Sequence, residues 1–181
     1  MRAMRIFFDT EFTDLAPDAE LISIGFVSED GQEAYYAELA GWDETKVSDF
    51  TREVVLPLLD QPKNSRLTSA QCAAAVAHWL SQFNAEIELV SDSSWDWRLL
   101  CRLLGDYFRQ QDEHSAILVT ERDGDLSIHY QLFSLASAQE ERIYLQAIKP
   151  LFRGREHHAL VDARALRAGV LAVESISVSD R

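Results

Sequence analysis

Apolar residues along this chain recur with two different periods, and the places where each period holds divide the sequence into strands and helices. Residues 6–12, Ile6-Phe7-Phe8-Asp9-Thr10-Glu11-Phe12, form a short apolar run that reads as a strand ending in two acids. Residues 21–27 are nearly all apolar, which suits a central strand buried on both faces. Glu29-Asp30-Gly31 then predicts a hairpin with a type I′ turn, leading into a third strand over 32–39 near a sheet edge. From 44 to 59 the spacing of Val47, Phe50, Val54, Val55 and Leu58 is helical, with Pro57 ending or kinking the segment. Thr68 and Gln71 match a capping box, and an amphipathic helix follows over 73–83. Ile87, Leu89 and Val90 read as a strand that runs into Ser91-Asp92-Ser93-Ser94. That polar stretch caps a helix over 95–104, with Gly105 just past its end.

The second half is less regular. Residues 109–115 read as a charged loop, 116–120 as a strand, 122–125 as a turn and 126–133 as a second strand, so that 116–133 forms a small hairpin. A helix over 138–148 stops at Pro150 and leaves a basic loop, 151–157, with Arg153 and Arg155. The final helix, 159–173, carries a stripe of Leu160, Ala163, Leu166, Val170 and Val173, and the Ser-rich end after it is expected to fray. An early β-meander followed by alternating helices and strands predicts the α/β class, a mixed sheet covered by helices.

Bulk properties narrow the setting. A chain of 181 residues suits one well-buried domain. No segment approaches the roughly 18–20 apolar residues of a membrane helix, and the start lacks the apolar core of a signal peptide, so a cytoplasmic location is expected. Cys72 and Cys101 fall inside helical patterns and read as reduced core thiols. A formal charge of −13 argues against tight binding to long nucleic-acid tracts. It leaves room for an enzyme that holds only terminal nucleotides while metal ions cancel part of its acidity.

The candidate chemistry lies in scattered acids. In a strand, i and i+2 share a face, so Asp9 and Glu11 can converge, and paired carboxylates at the end of a buried strand call for a cation. Asp96 sits in the first turn of a helix that directly follows a strand, where an acid also complements the helix terminus. His157 and Asp162 are five apart and would diverge by roughly 140° on one continuous helix. If the helix begins after His157, the histidine rides a loop while Asp162 stays anchored beside Leu166, where a near-core carboxylate needs a partner. His78, His114, His129 and His158 read as structural or surface residues.

Phe7-Phe8-Asp9-Thr10-Glu11-Phe12, Ser94-Trp95-Asp96-Trp97-Arg98-Leu99-Leu100 and His157-His158-Ala159-Leu160-Val161-Asp162-Ala163 resemble, in order, the three motifs of the DEDDh 3′-to-5′ exonucleases. The third, His-x-Ala-x-x-Asp-Ala, is the most specific. Within that superfamily the chain is most similar to the small stand-alone bacterial exoribonucleases of the type first described in mycobacteria. The carriers are Glu20 to Gly25, Glu29-Asp30-Gly31, Asp96-Trp97, Leu100-Cys101 and Leu104-Gly105. The segment 110–150 departs from that group.

The resemblance implies an RNase H-like fold with a mixed sheet of five or six strands flanked by helices. It implies a single exonuclease domain with its core over about 4–175 and the 116–133 hairpin as an elaboration. Asp9, Glu11 and Asp162 would hold one Mg²⁺, and Asp9 with Asp96 a second, with Mn²⁺ able to substitute. His157 would be the general base. Phe12 and Trp95 would offer stacking surfaces for the terminal base, and Arg153 and Arg155, with Lys149, would grip phosphates. The expected activity is 3′-to-5′ removal of nucleoside 5′-monophosphates from single-stranded or 3′-overhang RNA by a cytoplasmic homodimer. Single-stranded DNA as substrate, a catalytically silent nucleic-acid-binding module and a phosphoesterase acting on a small nucleotide are the competing readings.

Overall fold

A computed structural model describes residues 3–83, 85–119 and 125–179. Its frame is a mixed seven-stranded sheet in the order β3-β2-β1-β4-β7-β6-β5. The strands are β1 (Met4–Phe12), β2 (Leu21–Ser28), β3 (Ala34–Glu38), β4 (Ile87–Ser91), β5 (Phe108–Asp112), β6 (Ser115–Leu118) and β7 (Leu126–Leu132). The helices are α1 (Ser69–Ser81), α2 (Ser94–Leu104), α3 (Ala138–Phe152) and α4 (Ala159–Ser179). β1, β4 and β7 run parallel at the centre, while β2 and β3 on one side and β6 and β5 on the other are antiparallel. This is the α/β architecture expected from the pattern, compatible with an RNase H-like fold and wider than the five or six strands anticipated. The additional strand is β5. Only its Phe108 is buried, and Arg109, Gln110, Gln111 and Asp112 are exposed, so an edge strand without apolar alternation read as a loop.

Strand alternation sends β1 into two cores. Ile6 and Phe8 join a large cluster with Cys72, Val76 and Leu80 of α1 and Trp97, Leu100 and Leu104 of α2. Phe7 faces the other way, against Val27, Val90 and the α4 stripe of Ala163, Leu166 and Val170. The sheet is therefore covered on both faces. The capping box at Thr68 and Gln71 forms as expected, as do the Ser93 cap of α2 and the positive φ of Gly105 at its end.

Several expectations are corrected. The hairpin at Glu29-Asp30-Gly31 uses positive φ only at Gly31. Asp30 instead accepts hydrogen bonds from the Ser28 hydroxyl and the Gln32 N–H, so the turn is not type I′. The helix expected over 44–59 is broken: a short 3-10 turn at Glu44–Lys46, a wide π turn at Thr51–Val55 and a 3-10 turn at Leu56–Leu58. Pro57 lacks the N–H that would continue a regular ladder. Pro150, by contrast, does not stop α3, which reaches Phe152 before Arg153 turns left-handed. So close to the helix end, the missing N–H forfeits a single bond. The C-terminal end does not fray at 173; α4 continues to Ser179, and Glu174 in those extra turns pairs with Arg5 of β1. Residues 122–124 of the expected turn lie outside the described residues.

Candidate active site

Parallel neighbours end on the same edge of a sheet, so the carboxyl ends of β1 and β4 lie together, and loops gather there. Asp9 and Glu11 extend the Phe7 face of β1 toward α4, while Thr10 between them faces α2. Opposite Asp9 in the register stands Gly25. A Cβ on Gly25 would lie 2.4 Å from the Leu160 backbone nitrogen. The bare glycine therefore lets the first turn of α4 rest directly on the sheet, and that turn carries Asp162.

Asp9, Glu11, Asp96, His157 and Asp162 all line one cavity of about 560 Å³, together with Asp92, Phe12, Leu15, Phe50 and Tyr144. That volume lies in the roughly 300–1,000 Å³ range of small-molecule sites. Potential ligand atoms fall into two groups, each within 4.8 Å of one another: Asp9, Asp92 and Asp96 in one, with Asp92 exposed, and Glu11, His157 and Asp162 in the other. This partition differs from the one implied by resemblance, which put Asp9 with Glu11 and Asp162.

Asp96, Asp162 and the chain around His157 are held from behind. The Asp96 carboxylate accepts from the Thr10 hydroxyl at 2.6 Å and the Thr10 N–H at 3.2 Å. The Asp162 carboxylate accepts from the His157 N–H at 2.9 Å. The helix starts at Ala159, so His157 precedes it, as the spacing required, and its φ of 68° is left-handed. Such a conformation costs a non-glycine residue of order 1–3 kcal/mol and needs support from its surroundings. That support comes from Asp60, which accepts from Arg155 at 2.6 Å and contacts His158 Nε2 at 3.0 Å, gripping the chain on both sides of His157. The buried Glu38 carboxylate anchors Asp60 in turn, accepting its N–H and that of Gln61, and His158 stacks on Tyr36. The His157 ring meets Phe50 edge to face at 5.0 Å.

No Lys or Arg is among the described residues lining the cavity, and the electrostatics follow from that. Burial pushes the Glu11 carboxyl up to about 8, with Asp162 and Asp96 adding repulsion. Burial pushes Asp96 up to about 7 although Thr10 donates to it, and Asp162 to about 7 although the His157 N–H opposes the shift. Asp9 rises well above the ordinary carboxylate range, through burial first and then the charges of Asp96, Glu11 and Asp162. One oxygen each of Asp9, Asp96 and Asp162 is buried without a hydrogen-bond donor. Buried carboxylate oxygens in this state are stabilised by a proton or a hard cation, so the donor set fits divalent metal.

Of the other residues singled out, Phe12 lines the cavity and stacks on Trp95 with centroids 5.9 Å apart. Trp95 itself does not reach the cavity and carries the Arg98 guanidinium over its ring. Arg153 is exposed at the end of α3, and Arg155 is engaged with Asp60 and the Leu58 carbonyl. Thr10, Asp60, Asp92 and Tyr144 carry no signal in the sequence that marks them as part of the site. Asp92 lies in a run of capping residues, although only Ser93 performs the cap.

No family model matches the chain. Over 68 residues it is 44% identical to the 3′-5′ exoribonuclease MT2234.1 of Mycobacterium tuberculosis (strain CDC 1551 / Oshkosh). It matches the 3′-5′ exoribonuclease Rv2179c of strain ATCC 25618 / H37Rv equally. The matched stretch covers 38% of this chain and 40% of each relative. Over that part of its length the chain is similar to proteins named as 3′-5′ exoribonucleases, which supports an exoribonuclease family.

Proposed function

We propose that the chain is a DEDDh-type, divalent-metal-dependent 3′-to-5′ exoribonuclease, a single exonuclease domain releasing nucleoside 5′-monophosphates from single-stranded or 3′-overhang RNA. One observation carries this reading: Asp9, Glu11, Asp96, His157 and Asp162, drawn from three separate segments, line the same cavity. The similarity to the two exoribonucleases supports RNA as the substrate.

Asp9, Glu11, Asp96 and Asp162 present the carboxylate oxygens that hold Mg²⁺, with Mn²⁺ able to substitute. When bound, two such ions supply an activated water and stabilise the leaving 3′ oxygen of an in-line displacement. His157 accepts the water's proton on its ring, which Asp162 and the Asp60 clamp keep beside the acids. Phe12, backed by Trp95, gives a rigid apolar wall for the terminal base. Leu15 and Phe50, 71% and 53% exposed, extend that wall at the mouth. Removing such a site from water strengthens every electrostatic interaction within it.

The test uses 5′-labelled RNA and DNA oligomers with 3′ overhangs, in Mg²⁺ or in EDTA. Stepwise shortening of RNA that stops in EDTA is expected. Shortening of DNA alone reverses the substrate assignment, and binding of both without cleavage marks a silent binding module. Size-exclusion with light scattering checks the homodimer that the resemblance implies.

A further inference from the structure

We propose that Asp92 is a metal ligand, a carboxylate open to solvent on one side that supplies the third acid of a cation site with Asp9 and Asp96, distinct from the group of Glu11, His157 and Asp162. The assignment rests on the metal-dependent reading above and goes beyond the acids named there. Asp92 belongs to the short link between β4 and α2. An acid at that place commonly caps the helix, but here Ser93 accepts the Trp95 N–H and performs that role. Asp92 instead turns into the cavity, with an oxygen within 4.8 Å of ligand atoms on both Asp9 and Asp96.

A second observation makes this more than a cluster of acids. Asp96 is 1% exposed and commits only Oδ1 to Thr10. Its Oδ2 is buried with no donor, and so is Oδ2 of Asp9. No cationic side chain is among the described residues lining the cavity. Three carboxylates closing on two unanswered buried oxygens are the donor set of a hard divalent ion. Asp92 also bears electrostatically on its neighbours, raising the pKa values of Asp9, Asp96 and Asp162.

Asp92 is in turn positioned. Desolvation raises the Asp92 carboxyl above its ordinary range, and the Tyr144 hydroxyl hydrogen-bonded to that carboxylate opposes the shift. The Tyr144 ring occupies the place where a side chain on Gly169 of α4 would be, since a Cβ there would stand 2.3 Å from it, and it stacks on Phe133. With three acids at this site, its ion needs less help from substrate phosphates than one held by Asp9 and Asp96 alone. The site should therefore load without RNA.

The test is Mn²⁺ binding to the full chain without substrate, followed by calorimetry and by electron paramagnetic resonance. Two ions are expected for the wild type. Asp92→Asn should weaken one of them at least about 10-fold and leave the other unchanged, while Asp162→Asn weakens the opposite one. Tyr144→Phe, which keeps the ring packing, should weaken the same ion as Asp92→Asn by a smaller factor. Unchanged binding of both ions in Asp92→Asn, or equal weakening of both, overturns the assignment. A wild type that takes up no Mn²⁺ overturns the metal-dependent reading itself, a distinct outcome.

Discussion

At the scale of single residues, the clustered acids at the ends of β1 and β4 are a source of instability that a bound cation would relieve. Asp9→Asn or Asp162→Asn should abolish turnover and leave the fold intact, read by the RNA ladder and by circular dichroism. In EDTA each should also raise the melting temperature, because an uncharged isostere avoids the cost of burying a charge and removes repulsion from neighbouring acids. Asp60 is a positioning residue: Asp60→Ala should lower kcat about 10- to 100-fold with little change in KM, since His157 would lose its held geometry. Asp60→Asn, which keeps an acceptor oxygen, should recover part of the loss. An unaltered kcat in Asp60→Ala would show that the imidazole needs no clamp. The sequence exposed Asp9, Glu11, Asp96 and Asp162 because each lies beside a recognisable strand or helix start. It did not expose Asp60, which acts through two residues almost a hundred positions away.

At the scale of elements, the site depends on how closely α4 approaches β2. Gly25→Ala would put a methyl group into the Leu160 backbone. Overpacking of this kind costs about 1–3 kcal/mol, so the variant should unfold at lower urea and lose activity as Asp162 moves away. Unchanged unfolding and activity would place the helix elsewhere. The strands β1 to β4 and the helices α1, α2 and α4 were legible because their apolar periods are strong. The failures have separate physical causes: β5 is polar and is held by backbone pairing with β6, its neighbour in sequence, whereas the last turns of α4 are held by Arg5, far away along the chain. Pro57 sits where the regular helix breaks, as expected, whereas Pro150 lies so near the end of α3 that its missing N–H does not stop the helix.

At the scale of the molecule, metal and pH act on stability together. In the metal-free protein, Glu11, Asp96 and Asp162 have folded pKa values raised to about 8, 7 and 7 from ordinary values near 4. The folded state then binds more protons than the unfolded one across that interval, so stability falls as pH rises from about 4 to 8. The melting temperature in EDTA should decline from pH 5 to pH 8, and Mg²⁺ should restore it at pH 8, where the carboxylates are free to bind it. A flat profile that ignores Mg²⁺ would mean that the buried acids are not charged together. The central claim is that these acids cage divalent cations. The most direct measurement is anomalous scattering from crystals of the wild-type protein soaked in Mn²⁺. Peaks in the cavity between Asp9, Glu11, Asp96 and Asp162 are predicted; a soaked crystal with no peak at those carboxylates would contradict the account.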